Sequence, residues 1–250
     1  MSGHSKWSSI KHKKGAADAK RGQLFTKLAR AIQVAARDGG PDPAGNAALA
    51  TAVQKARDAS MPKDNIERAI AKGAGNDADA AAWQSAVYEG YAPGGVAVLV
   101  EALTDNRNRT GAEVRHIFSR GGGSLGEPGS VAWNFEKKGV VLVDAERHDE
   151  DDLIVAIDAG AEDLTRDEDV WEIVTAPGDL PGVRGALEEA GVEIQSSELS
   201  MRPQTRVELE EGQAGSVLRL LEALEDQDDV AAVHANFDVD AATLERLAPA

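Results

Sequence analysis

The sequence predicts an α+β chain of several domains: a helical N-terminal domain, then two α/β sandwich domains, the last ferredoxin-like and inserted into the other. Three observations lead there. Apolar residues recur at helical spacing through residues 1–75. Farther along, β-rich runs such as VAVLVEAL (Val96–Leu103) alternate with helical stretches. A central block has the order strand, helix, strand, strand, helix, strand, which is that of a ferredoxin-like sandwich.

The chain opens with GHSKWSSIKHKKGAADAKRGQ (Gly3–Gln23), holding Lys6, Lys11, Lys13, Lys14, Lys20 and Arg21 against one acid, Asp18. Gln23–Arg37 is a predicted helix with Leu24, Leu28, Ile32 and Ala35 on one face. Lys20, Lys27, Arg30 and Arg37 fall on the other side, with Val34 among them. Gly39-Gly40-Pro41 ends it. A second helix follows Asp42-Pro43 and turns Leu49, Val53 and Ala56 inward. A third follows Met61-Pro62, with Ile66, Ala69 and Ile70 inward and Gly73 as its stop. Helices this short need one another to stay folded. Residues 73–82 read as a linker.

Beyond it, Val96–Leu103 is a buried strand, Arg109–Ser119 a helix with Val114, Ile117 and Phe118 inward, and Val131–Phe135 a strand. The central block runs through a strand at Val140–Val143, a helix at Glu150–Ala159, and strands near Glu162–Thr165 and Val170–Thr175. It closes with a helix at Gly178–Ala190 and a strand at Val192–Leu199. Thr205–Leu209, Gly212–Asp226 and Val230–Asn236 read strand, helix, strand. The pieces flanking the central block form two βαβ halves that need each other. The expected domains are therefore 1–75, 83–130 with 205–240, and 131–204.

Composition narrows the function. With 42% apolar residues the chain builds cores, and with 4% aromatics they are mostly aliphatic. The absence of cysteine excludes disulfides, thiolate metal sites and cysteine nucleophiles, and fits the cytosol. No apolar run reaches the length of a membrane span, and no hydrophobic stretch follows the basic arm as a secretory signal would need. The arm leads straight into a patterned helix, which argues against a transit peptide. A cytoplasmic location is expected. Charge is segregated: residues 1–75 hold 14 Lys and Arg against 6 Asp and Glu, a net of +8, within a chain of net -16. The remainder is thus at -24, an asymmetry that points to a polyanion-binding head.

No catalytic constellation stands out, and no cofactor or metal is expected. None of His4, His12, His116, His148 and His234 lies in a metal or nucleophile motif. GGGSLG (Gly121–Gly126) fits the letters of a dinucleotide fingerprint, but it follows a helix and precedes a strand, the reverse of what that motif requires. It reads as a flexible contact loop. The acid clusters Asp149–Asp152 and Glu225–Asp229 read as solvated helix caps. In TDNRNRTGAEVRHIFSR (Thr104–Arg120), Arg107 and Arg109 at a helix start suit phosphate, while Asn108 or Thr110 suits capping. Trp7 among the lysines either stacks on a base or anchors the arm on the helical domain.

Taken together, GHSKWSSIKHKKGAADAKRGQLFTKLAR, MPKDNIERAIAKG (Met61–Gly73), YEGYAPGGVAVLVEALTDNRNRT (Tyr88–Thr110) and GGGSLGEPGSVAWNFEKKG (Gly121–Gly139) resemble the YebC/PmpR family over essentially the full chain. The resemblance implies a three-domain cytoplasmic protein that regulates gene expression without being an enzyme. Members are usually labelled probable DNA-binding transcriptional regulators. The family also includes the mitochondrial translational activator of a cytochrome oxidase subunit, and bacterial relatives are linked to ribosomes stalled on proline-rich sequence. A nucleic-acid-binding role falls on Lys6, Lys11, Lys13, Lys14, Lys20 and Arg21, and by charge and placement on Lys27, Arg30, Arg107 and Arg109. The partner is DNA in transcription regulation, or ribosomal RNA or tRNA on the ribosome in translation regulation, with ribosomal proteins as further candidates. The head is rich in Ala and Lys and poor in base-reading residues, so backbone contact is better supported than base readout.

Overall fold

The computed structural model describes Trp7 and residues 18–75, 83–167 and 169–247. The helical head comprises α1 (Asp18–Gly39), α2 (Ala47–Asp58) and α3 (Lys63–Ala74). Asn46 caps α2 by accepting from Leu49 N, and its amide donates to the Ala35 and Gly40 carbonyls, which fixes the corner between α1 and α2. The core is Leu28, Ile32 and Ala36 of α1, Leu49, Val53 and Ala56 of α2, and Met61, Ile66 and Ala69. The inward stripe of α1 therefore lies slightly off the predicted one. Leu24 is 39% exposed and Ala36 is buried. Gly73 is not a stop, because α3 continues to Ala74. A Cβ there would lie 2.2 Å from the Gln33 carbonyl oxygen, so glycine lets α3 cross α1 closely.

The next sheet is antiparallel in the order β3-β1-β2-β9, formed by β1 (Gln84–Ala92), β2 (Val96–Thr104), β3 (Ser124–Leu125) and β9 (Val230–Ala235). Helices α4 (Arg107–Arg120) and α7 (Glu211–Glu225) supply Val114, Phe118, Leu220 and Leu221 to its core, against Val96, Val98 and Val100. Two expectations fail here. Val131–Phe135 is not a strand: Ala132–Asn134 forms a 3₁₀ turn, and β4 begins at Phe135 and runs to Asp144. Thr205–Leu209 shrinks to β8 (Val207–Glu208), which pairs in parallel with β10 (Phe237–Asp238) outside the main sheet. The flanking pieces thus make one antiparallel sheet rather than two βαβ halves. A short helix, α8 (Ala241–Leu247), follows.

Between β3 and β8 lies the ferredoxin-like sandwich: β4, α5 (Glu150–Asp158), β5 (Ala161–Asp167), β6 (Val170–Thr175), α6 (Leu180–Glu189) and β7 (Ile194–Pro203). Its sheet is antiparallel in the order β5-β6-β4-β7. Asp149 and Asp152 form a reciprocal capping box at the start of α5. Entry and exit of this insert meet at Asn134, which is buried. Its side-chain oxygen accepts from Thr205 N at 2.9 Å and Thr205 Oγ1 at 2.8 Å, and its amide donates to the Thr205 carbonyl at 3.2 Å. Asn236 donates to the same carbonyl and accepts from Ala97 N at 2.7 Å, which ties the neck to β2.

Candidate nucleic-acid interface

The basic face of α1 and the start of α4 converge on the turn between α7 and β9, which carries Glu225, Asp226, Gln227, Asp228 and Asp229. Lys27 Nζ donates to the carbonyls of Glu225 and Gln227, the latter at 2.7 Å. Gln23 bonds the Asp226 carbonyl and Asp228. Arg30 donates to the Asp228 carbonyl at 2.8 Å and to Asp229 Oδ1 at 3.2 Å. On the other carboxylate oxygen, Asp229 Oδ2 accepts from Arg109 at 2.8 Å, Thr110 Oγ1 at 2.7 Å and Thr104 Oγ1 at 3.3 Å. Asp229 is only 4% exposed. Burial pushes its carboxyl up, but the bonds from Arg109 and Thr110 and the charges of Arg109 and Arg30 outweigh it and hold it below the usual aspartate range. Burial in turn draws the Lys27 ammonium down, against the acids of the turn. The Glu225–Asp229 cluster is therefore a clasp rather than a solvated cap.

The predicted phosphate contacts divide accordingly. Lys6, Lys11, Lys13 and Lys14 lie outside the described residues, as does the side chain of Lys20, whose backbone is in the first turn of α1. Arg21 is exposed, its guanidinium 5.6 Å from the centre of the Phe25 ring. Lys27, Arg30 and Arg109 face the clasp. Arg107 is exposed and donates to the Ser85 carbonyl at 2.9 Å. Neither Asn108 nor Thr110 caps α4: the cap is Asn106, which accepts from Arg109 N. Asp229 was hidden in the sequence as one letter in an acidic run, and its partners lie far away along the chain.

The head also ties to the ferredoxin-like insert. Lys55 of α2 pairs with Glu198 of β7 at 2.7 Å, and Arg184 of α6 grips Asp58 through two bonds of 2.8 and 3.0 Å. Trp7 is 1% exposed and packs in the core beneath the first sheet, so it anchors the arm on that core rather than on the helical head, and its buried ring does not stack on a base. The loop after α4 does not offer its amides freely either. Gly129, Val131 and Ala132 donate their N–H groups to the Glu89 carboxylate at 2.6, 2.7 and 2.8 Å. Burial raises that carboxyl, but the three bonds prevail and hold it below the usual glutamate range.

Among the described residues, no helix is long and apolar enough to cross a membrane, and no group of three or more His, Asp and Glu side chains is placed to hold a metal ion. Residues 5–76 match the family model described as the TACO1/YebC protein N-terminal domain, and residues 83–237 match the TACO1/YebC second and third domain. A "probable transcriptional regulatory protein" of Rubrobacter xylanophilus is 58% identical over 240 residues, covering 96% of each chain. One of the same name in Acidothermus cellulolyticus is 55% identical over 98% of this chain and 99% of its own. The crystal structure of a conserved hypothetical protein from Aquifex aeolicus is 48% identical, with a TM-score of 0.79, covering 89% of this chain and 92% of that one.

Proposed function

Because the chain belongs to the TACO1/YebC family, we propose that it is a non-enzymatic, cytoplasmic regulator of gene expression, a DNA-binding transcription regulator that grips phosphates with its basic arm and helical head. The observation that carries this reading is the segregation of charge, 14 Lys and Arg against 6 Asp and Glu in residues 1–75 of a chain at -16. The names of the relatives support the regulatory half of it. The clasp sharpens the assignment. Lys27, Arg30 and Arg109 are already engaged at the 225–229 turn, so the phosphate contacts fall first to Lys6, Lys11, Lys13, Lys14, Lys20 and Arg21, with exposed Arg107 at the margin. Such contacts position the protein on the backbone without reading bases. We also propose the division into domains 1–75, 83–130 with 205–240, and 131–204.

Binding should be steeply salt-dependent. Six to ten phosphate contacts correspond to a loss of roughly 10³–10⁵-fold in affinity between about 50 and 200 mM salt. Replacing Lys11, Lys13 and Lys14 together by Glu should abolish binding with the fold intact by circular dichroism. A flat salt response would remove phosphate gripping from the account. Offering the protein ribosomes and promoter DNA together then separates the targets. A discrete footprint on DNA supports transcription. Ribosome co-sedimentation that excess DNA does not displace moves the protein to translation.

A further inference from the structure

Between α1 and α3, beside the clasp, lies an open groove of about 420 Å³. Its walls come from Phe25, Ala29 and Gln33 of α1 and from Asn65, Arg68 and Lys72 of α3. The α3 residues follow one another at helical spacing and so share one face. Gly73 sets the groove at one end, where the two helices cross closely. Trp83 closes the side. Its carbonyl accepts from Arg37 at 2.7 Å, and the Arg30 guanidinium lies 3.8 Å from its ring centre. Among the described residues that line the groove, Arg68 and Lys72 are cations beside Arg30, which is held by Asp229, and none is a carboxylate.

We propose that this groove holds one unpaired nucleotide of a single strand, its base against Phe25 and Trp83 and its phosphate on Arg68 and Lys72. The inference rests on the nucleic-acid reading above and specifies what the head selects. Each part of the lining matches a part of the ligand. An aromatic face stacks any base, and Arg30 over one face of Trp83 leaves its other face for that contact. The amides of Gln33 and Asn65 offer both donors and acceptors to a base edge. Exposed cations at the opening meet a phosphate while it stays half in water. The volume lies within the range of small-ligand sites. A base inside a duplex is already stacked and paired and does not reach the groove, so the head favours single strands.

The test measures full-length protein against a labelled short single-stranded oligoadenylate, the same strand with abasic sites, and a duplex of equal length, each as RNA and as DNA. The intact single strand should bind about ten-fold or more tighter than the abasic one. The Arg68→Ala, Lys72→Ala double variant, whose side chains are exposed, should weaken single-strand binding about ten-fold and leave duplex binding nearly unchanged. Phe25→Leu and Trp83→Leu should each erase the difference between intact and abasic strands, with circular dichroism confirming the fold. Equal affinity of the wild-type protein for intact and abasic strands overturns the proposal, as does a double variant that weakens duplex and single strand alike. In both cases phosphate gripping itself survives. Wild-type protein that binds none of the three strands overturns both readings.

Discussion

At the residue scale, the two buried polar hubs behave differently when disturbed. Asp229→Ala leaves Arg30, Thr104 and Thr110 facing a void in a site where Arg30 has 15% of its side chain exposed. Breaking a buried pair costs about 3–5 kcal/mol, reduced here because Arg109 is 46% exposed. A loss of about 2–3 kcal/mol is expected, read as a fall in Tm of roughly 5–10 °C. The same carboxyl makes stability pH-dependent. Its folded-state pKa is depressed, so its contribution is in place above the unfolded value near about 3.9 and disappears as pH falls through the folded value. Acid titration of stability should therefore be shallower in Asp229→Ala than in the wild type below about pH 4. Asn134→Ala removes the buried amide that holds Thr205, whose own N–H and hydroxyl are exposed and can turn to water, so the cost is about 0.5–1.5 kcal/mol for each bond lost, measured by denaturant unfolding. Neither hub was legible beforehand. Asp229 meets partners from residues 30, 104, 109 and 110, and Asn134 meets Thr205, pairings that no local pattern encodes.

At the element scale, periodicity carried the reading where one face is buried and the residue types are unambiguous. The helices of the head, and α5, α6 and α7, fall near their expected positions for that reason. β1 went unread because QSAVYEGYA has a single β-branched residue and an interior glycine, so it lacks the strand signature that VAVLVEAL displays. Only Val140–Val143 of β4 is legible, because its first half, FEKKG, is polar and owes its extension to pairing with β7. The ties between the head and the insert are of another energetic kind than the clasp. Lys55 and Glu198 are 44% and 37% exposed as side chains, and such a pair contributes about 0–1 kcal/mol. Lys55→Ala should accordingly shift the denaturant midpoint only slightly, and less than Asp229→Ala does.

At the scale of the whole molecule, the charge split legible in the sequence turns out to be partly an internal matter. A +8 head and a -24 remainder attract one another, and Lys27, Arg30 and Lys55 are where that attraction is localised, while the Arg184–Asp58 tie runs the other way, with its cation on the insert and its acid on the head. Raising salt screens the exposed ties more than the buried Asp229 pair. Small-angle scattering at rising ionic strength should therefore show expansion arising between head and insert before any loss of the α1 clasp.

The neck at Asn134 also bears on how the chain reaches this state. β9 completes the first sheet only after α4, the entire insert and α7 have been made, so the pairing of β2 with β9 closes a very long loop. An insert that folds by itself and seals its two ends at Asn134 and Thr205 roughly halves that loop, lowering the closure cost by about 0.6 kcal/mol. The ferredoxin-like unit would then be a folding shortcut for its host, and a neck-weakened Asn134→Ala chain should refold more slowly by stopped-flow even where its final stability is restored by osmolyte.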